Sequence, residues 1–229
     1  MLVVCASPLL AANMGGQTGK KKEAPKKEQP KPKPPEHKQP PAAKTAAIGA
    51  EVDGAIALED PAGKAHALKE YRGKIVVLDF WSSTSSGDAQ QKHLAKIAQE
   101  FAGKNVTVIG IDSVAGEATD VKAVEAAVAK NAVGFPVLLD KEGRLAGHLG
   151  AKALDEVFVL DAKGVLRYSG SIDDDPKGEK ADKAQDYLSA ALRAVVEGKD
   201  APTPTTAPNG AALKAAEGKK APAPPAGKK

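Results

Sequence analysis

The chain has 229 residues, 42% of them hydrophobic, and a single cysteine, Cys5. That length allows one or two domains, and a lone cysteine excludes any intramolecular disulfide. The net charge of +4 hides a strong asymmetry. Nine lysines against three glutamates make residues 20–44 +6, and six lysines against Asp200 and Glu217 make residues 198–229 +4. Residues 1–19 are neutral, so the middle of the chain carries −6. An acidic globule is thus flanked by a basic arm and a basic tail.

Residues 2–12 (LVVCASPLLAA) are apolar and end in small side chains. A helical bilayer span takes about 20 apolar residues, so this run is too short to be one. It reads as the core and cleavage zone of an export signal, although nothing basic precedes Leu2. On that reading residues 1–19 are an export segment and the protein is destined for the periplasm or cell envelope. If the run is merely apolar, the protein stays cytoplasmic. Residues 20–46 are rich in Lys and Pro, and residues 198–229 in Ala, Pro and Lys. Neither stretch has the apolar side chains to offset its ordering entropy, so both are expected to be disordered.

The folded unit is therefore expected over residues 47–197. Ile56–Leu58, a turn at Asp60–Gly63 and Ala65–Leu68 predict a β-hairpin. Ile75–Trp81 (IVVLDFW) predicts a strand buried on both faces. A Ser-rich loop, Ser82–Gly87, leads into a helix from Asp88 to Phe101. Its apolar face is Leu94, Ile97, Ala98 and Phe101, and Gly103 ends it. Val106–Ile111 is the next buried strand. Thr119 is expected to cap a second helix that runs to Lys130, with Val121, Val124 and Val128 on one side. Phe135–Leu139 is extended and Gly143–Leu149 is a helical turn. Val157–Leu160 and Val165–Tyr168 form a hairpin around Asp161–Gly164. A last helix buries Tyr187, Leu188, Ala191, Leu192 and Val195. This order predicts an α/β three-layer sandwich, a central mixed sheet flanked by helices.

Gly73–Trp81 (GKIVVLDFW), followed by a short loop and an amphipathic helix, resembles the thioredoxin superfamily. Phe135–Asp140 (FPVLLD), Leu149–Ala151 and Phe158–Gly164 (FVLDAKG) resemble its redoxin branch. That branch comprises periplasmic thiol–disulfide oxidoreductases and alkyl hydroperoxide reductase or thiol-specific antioxidant-like proteins. The resemblance spans about residues 47–195 and implies a thioredoxin-like fold. It also implies a Cys-x-x-Cys at the head of the first long helix, where the helix dipole stabilises a thiolate. Here the two cysteine positions fall on Ser85 and Asp88. The cis-proline of the family falls on Asp155, where a cis bond would cost about 2.5–4 kcal/mol. That peptide is therefore expected to be trans, and the loop that pairs with substrate peptides in the family to be reshaped. Asp79 matches the buried acid beneath the second cysteine of the family.

The resemblance brings Asp79, Asp88, Asp155 and Ser85 to one place. A weak cation site or a carboxylate pair with split pKa values is one reading. The plainer one makes Asp88 a helix cap, ties Asp79 to backbone or water and leaves Asp155 exposed. On that plainer reading no metal or cofactor is expected. His37, His66, His93 and His148 lack metal-ligand spacing and read as surface or packing residues. Asp173–Asp175 lacks the Gly and distant Glu of a calcium loop, and reads as a solvated turn. Trp81 reads as packing beside the former redox site. The Ser-rich loop has no nearby His base for a nucleophilic serine.

The function expected is a thioredoxin-like domain without Cys-x-x-Cys or cis-Pro, serving as a non-redox binding or scaffolding module without catalysis. Its protein or peptide partner would sit in the groove near Ser85. The alternative is a redoxin-family oxidoreductase by descent, active through a partner's thiols. The basic arms either contact a polyanion or act as solvated tethers. No aromatic residue is interleaved with their lysines to stack nucleic-acid bases.

Overall fold

The computed structural model describes residues 45–84, 88–130, 134–180 and 183–216, with the backbone alone at Asp88. The export segment, nearly all of the Lys/Pro linker, His37 and Ser85 lie outside the described residues.

Seven strands form one sheet. They are β1 (Ala57–Glu59), β2 (Ala65–Ala67), β3 (Ile75–Trp81), β4 (Val106–Asp112), β5 (Val137–Leu139), β6 (Glu156–Leu160) and β7 (Leu166–Ser171). Their spatial order is β2-β1-β5-β4-β3-β6-β7. β3, β4 and β5 run parallel, which requires helical crossovers between them. β6 pairs antiparallel with β3 and β7 with β6. The helices are α1 (Asp88–Glu100), α2 (Val121–Lys130), α3 (Arg144–Leu149) and α4 (Tyr187–Val196).

The two-fold alternation of strand side chains sorts the core onto the two faces of the sheet. Ile75 and Val77 of β3 face Leu94, Ile97 and Phe101 of α1 and Leu188, Leu192 and Val195 of α4. Val76, Leu78 and Phe80 face Leu145 and Leu149 of α3, joined by Leu58 and Leu68 of the N-terminal hairpin region. All seven residues of β3 are buried, as the continuous apolar run predicts. Trp81, fully buried, shares a third cluster with Val124 and Ala127 of α2 and with Val137 and Leu139.

Two expectations need correction. Thr119 does not cap α2. It lies in a 3-10 turn, Glu117–Thr119, where its hydroxyl donates to the Gly116 carbonyl at 2.7 Å. Asp120 takes the role instead, its carboxylate accepting from the Ala123 amide at 3.2 Å. Both residue types can cap, and the one three positions before a free helical N–H does so. The second correction concerns the tail. Residues 198–216 are not disordered but run as an extended strap along the domain. Ser169 donates its amide to Pro204 O at 3.1 Å, and Leu154 donates to Ala211 O at 2.7 Å. Ala115 donates to Lys214 O at 2.9 Å. Composition measures side chains, whereas this strap is held largely by backbone groups.

Gly110 lies in mid-sheet, in register with Asp79 on one side and Val137 on the other. A Cβ there would lie 3.1 Å from Val137 Cγ2 and 3.3 Å from Phe135 Cε2, whereas one at Gly103 meets nothing within 4 Å. Gly110→Val is expected to destabilise the domain by about 1–3 kcal/mol through overpacking. Gly103→Ala is expected to stay within about 0.5 kcal/mol of the parent. Urea unfolding of both variants checks the contrast.

Candidate functional site

The site forms where the C-terminal end of β3, the first turn of α1 and the loop entering β6 converge. Asp79 is wholly buried in β3, opposite Val157 of β6. Asp155 precedes β6 and donates its amide to Phe80 O at 2.8 Å. No described peptide is cis, and Asp155 sits in the left-handed region at φ +57°. Asp tolerates that region better than most residues, because its short side chain bonds locally. Asp155 is also buried, at 7% exposure, which corrects the expectation of an exposed carboxylate.

Gln91 joins the two acids. Its Nε2 donates to Asp79 Oδ2 at 3.1 Å and to Asp155 Oδ1 at 3.1 Å. Burial drives the Asp79 carboxyl well above its ordinary range, the neighbouring Asp155 charge pushes it the same way, and the Gln91 bond only partly opposes them. Two like charges this close in a dry setting do not both ionise readily. Asp79 Oδ1 and Gln91 Oε1 find no partner among the described residues. This assembly can hold a proton. It offers no atom that passes electrons. The backbone of α1 begins at Asp88 as expected, and among the described residues no group of three His, Cys, Asp or Glu is placed to hold a metal.

A second acid organises the loop after Trp81. Glu117 accepts from Ser82 Oγ at 2.9 Å, Ser83 N at 3.2 Å, Ser83 Oγ at 3.0 Å and Thr84 Oγ1 at 2.7 Å. Burial alone would raise its carboxyl, but the bonds from Thr84, Ser82 and Ser83 outweigh that and hold it low. Beside it, buried Asp112 is pushed up to about 7 by desolvation, with the Glu117 charge adding to the rise and the Val114 amide opposing it. Residues 82–84 are thus pinned by their hydroxyls, all three of which are engaged with the Glu117 carboxylate.

His93 of α1 is a further contact that the sequence leaves unassigned. Its Nδ1 lies 2.6 Å from Asp173 Oδ2 and its Nε2 lies 3.0 Å from Asp186 Oδ2. Carboxylates only accept, so both ring nitrogens must donate, which makes the ring an imidazolium. The Asp186 bond raises the His93 pKa, burial opposes it, and Asp173 adds to the rise. Asp173–Asp175 is therefore not a solvated turn. Asp173 and Asp175 are buried, Gln90 donates to Asp173 Oδ1 at 3.0 Å, and the Lys180 amide donates to Asp175 at 2.6 Å. His66 pairs with Asp60 at 3.0 Å, and His148 Nε2 accepts from the Asp53 amide at 3.3 Å.

A family model described as AhpC/TSA matches residues 48–169, more than half of the chain. The chain belongs to the AhpC/TSA family. Thiol-disulfide oxidoreductase ResA of Bacillus thuringiensis subsp. konkukian is 28% identical over 131 residues, 56% of this chain and 70% of that one. Peroxiredoxin-2 of Bos taurus is 31% identical over 147 residues, 59% of this chain and 73% of that one. A hypothetical protein from Sinorhizobium meliloti superposes with a TM-score of 0.65 at 28% identity, covering 75% of this chain and 96% of its own. The redoxin resemblance and the thioredoxin-like sandwich both stand.

Within this AhpC/TSA domain, Gln91, Glu117, Asp112 and His93 are the site residues that sequence patterns do not single out. One signal existed for Gln91. The stripe Leu94, Ile97, Ala98 and Phe101 extends backward to positions 90 and 91, both glutamine, and a polar residue on a buried stripe requires a buried partner.

Two pH dependences follow. The folded Asp79 keeps a proton that the unfolded chain releases near pH 3.8, so stability falls as pH rises above that value. Asp79→Asn is expected to flatten this slope above about pH 4 in urea unfolding. His93 behaves differently because it gains a charge. Its contribution is complete below the unfolded pKa of 6.5 and is lost as pH rises through the higher folded value. His93→Gln is expected to cost about 1 kcal/mol at pH 6, and distinctly less at a pH above the folded value. Thermal unfolding across pH distinguishes this from simple loss of packing.

Proposed function

We propose that this AhpC/TSA-family domain is a non-redox binding or scaffolding module whose partner, a protein or peptide, docks near the head of α1. The observation that carries the reading is the absence of sulfur from the domain. Cys5 is the single cysteine of the chain and lies outside the family-matched region, residues 48–169. Disulfide exchange needs a thiolate to attack and a second thiol to resolve the mixed disulfide. Peroxide reduction likewise starts from a thiolate that becomes a sulfenic acid. Ser85 and Asp88 stand where the resemblance puts the two cysteines. A serine hydroxyl forms no disulfide, and an aspartate does neither job. The left-handed backbone at Asp155 and the amide bridge from Gln91 support the same reading, because they tie this loop to α1 instead of leaving a proline there.

A second reading comes from the relatives themselves, which are named thiol-disulfide oxidoreductase and peroxiredoxin. In it the domain assists a reaction whose thiols a partner supplies. Export through residues 1–19, followed by the Lys/Pro linker as a tether, belongs to the proposal under either reading.

The full chain is expected to reduce neither insulin disulfides nor hydrogen peroxide above a protein-free blank, with dithiothreitol as reductant. Turnover proportional to chain concentration would overturn the non-redox reading. Turnover that appears only when a second thiol protein is added would favour the partner-dependent one.

A further inference from the structure

The strap formed by residues 204–216 meets three separate stretches of the domain's backbone. Beside β7, Ser169 N donates to Pro204 O at 3.1 Å and Thr206 N to Ser169 O at 3.0 Å. Along the loop before β6, Leu154 N donates to Ala211 O at 2.7 Å and Leu213 N to Lys152 O at 2.8 Å, with Ala153 and Ala212 paired antiparallel. Beyond β4, Ala115 N donates to Lys214 O at 2.9 Å and Ala216 N to Ser113 O at 3.2 Å. The middle contact is made by the residue before Asp155, so the strap passes alongside the loop that carries Asp155.

Three glycines allow this approach. A Cβ on Gly170 would come within 2.1 Å of Thr206 Oγ1, one on Gly210 within 1.8 Å of Leu154 O, and one on Gly143 within 2.0 Å of Ala216 O. Two of these glycines belong to the domain and one to the strap, so the fit is built from both sides. Apolar anchoring is slight. Leu213 and Ala215, two residues apart on one side of the extended strap, pack half-buried against the cluster of Leu145, Leu149 and Phe158. Pro204, Thr205, Ala207, Asn209, Ala211 and Ala212 remain exposed.

We propose that the surface formed by residues 113–115, 152–154 and 169–171 is a peptide-binding site, and that the chain's own residues 204–216 are its resident ligand. The inference rests on the binding reading above and names the class of ligand. That ligand is an extended peptide with a glycine facing Leu154, small residues after it and one aliphatic anchor at the place of Leu213. Strand addition of this kind draws its affinity from main-chain bonds and its selectivity from alternate side chains. A strap with few buried apolar contacts and exposed backbone bonds belongs to the low-stability end of a fold and opens locally. A tethered ligand competes at an effective concentration on the order of millimolar, so a free peptide enters only when the tail is weakened.

The test uses the full chain and a dye-labelled peptide of residues 204–216, read by fluorescence anisotropy. Gly210→Val in the full chain is expected to release the strap and to bind the labelled peptide at least tenfold more tightly than the parent chain does. The same peptide carrying Gly210→Val is expected to bind neither chain. Amide exchange gives a second readout. Leu154 and Ala115 are expected to lose protection in Gly210→Val and to recover it when the unmodified peptide is added, while amides of β3 and β4 stay protected. Absence of peptide binding to Gly210→Val at millimolar concentration, equal binding to both chains, or unchanged protection of Leu154 would overturn the proposal. Reductase turnover together with peptide binding would remove the non-redox reading and leave this site standing. No turnover and no binding would remove the site alone.

Discussion

Two carboxyl groups buried side by side cannot both ionise cheaply in a dry interior, and this domain places Asp79 and Asp155 in that relation under the head of α1. Gln91 bridges the pair by giving one amide hydrogen to each, which offsets the conflict only in part. The three residues come from β3, α1 and the loop entering β6, so a single amide fixes the relative placement of three elements. Ionisation of Asp79 is opposed by its burial and by the charge of Asp155, which the Gln91 bond offsets only in part.

Around this centre the chain repeatedly uses carboxylates as local clamps. Glu117 gathers the hydroxyls of the loop after Trp81. Glu156 accepts the Lys152 and Ala153 amides at 2.7 and 3.1 Å, shaping the loop against which the tail lies. Asp140 accepts the Arg144 and Ala146 amides at the start of α3, each at 2.9 Å. Asp173 and Asp186 hold His93 between the head of α4 and the preceding loop. The acidic charge of the globule is therefore not simply a solvated surface. Part of it is internal and structural, because buried backbone N–H groups need acceptors wherever the sheet and helices leave them unpaired.

The strap gives the acidic globule a third kind of contact. Most of its bonds use main-chain groups, joined by Thr206 Oγ1, which accepts from Ser171 N at 3.0 Å, and Asn209 Nδ2, which donates to Asp173 O at 2.7 Å, and its fit depends on missing side chains at Gly143, Gly170 and Gly210. Such an arrangement tolerates very few side chains at those three glycines, and uses particular ones at Thr206, Asn209 and Leu213. That links the tail to the binding reading, since a surface shaped to accept one extended backbone discriminates chiefly by steric exclusion.

Much of the architecture can be read from residue order. The apolar run Ile75–Trp81, the stripe Leu94, Ile97 and Phe101, and the glycine-bearing turns at Asp60–Gly63 and Asp161–Gly164 fix strands, helix and hairpins, because burial and turn geometry follow periods of two and 3.6 residues. The absence of a domain cysteine is equally a property of the sequence alone. Tertiary structure decided what no period encodes. It buried Asp155, gave His93 its two acids, turned Asp173 and Asp175 inward and laid residues 198–216 against the fold. Each of these outcomes depends on groups distant in sequence meeting in space, and on backbone hydrogen bonds that composition does not measure.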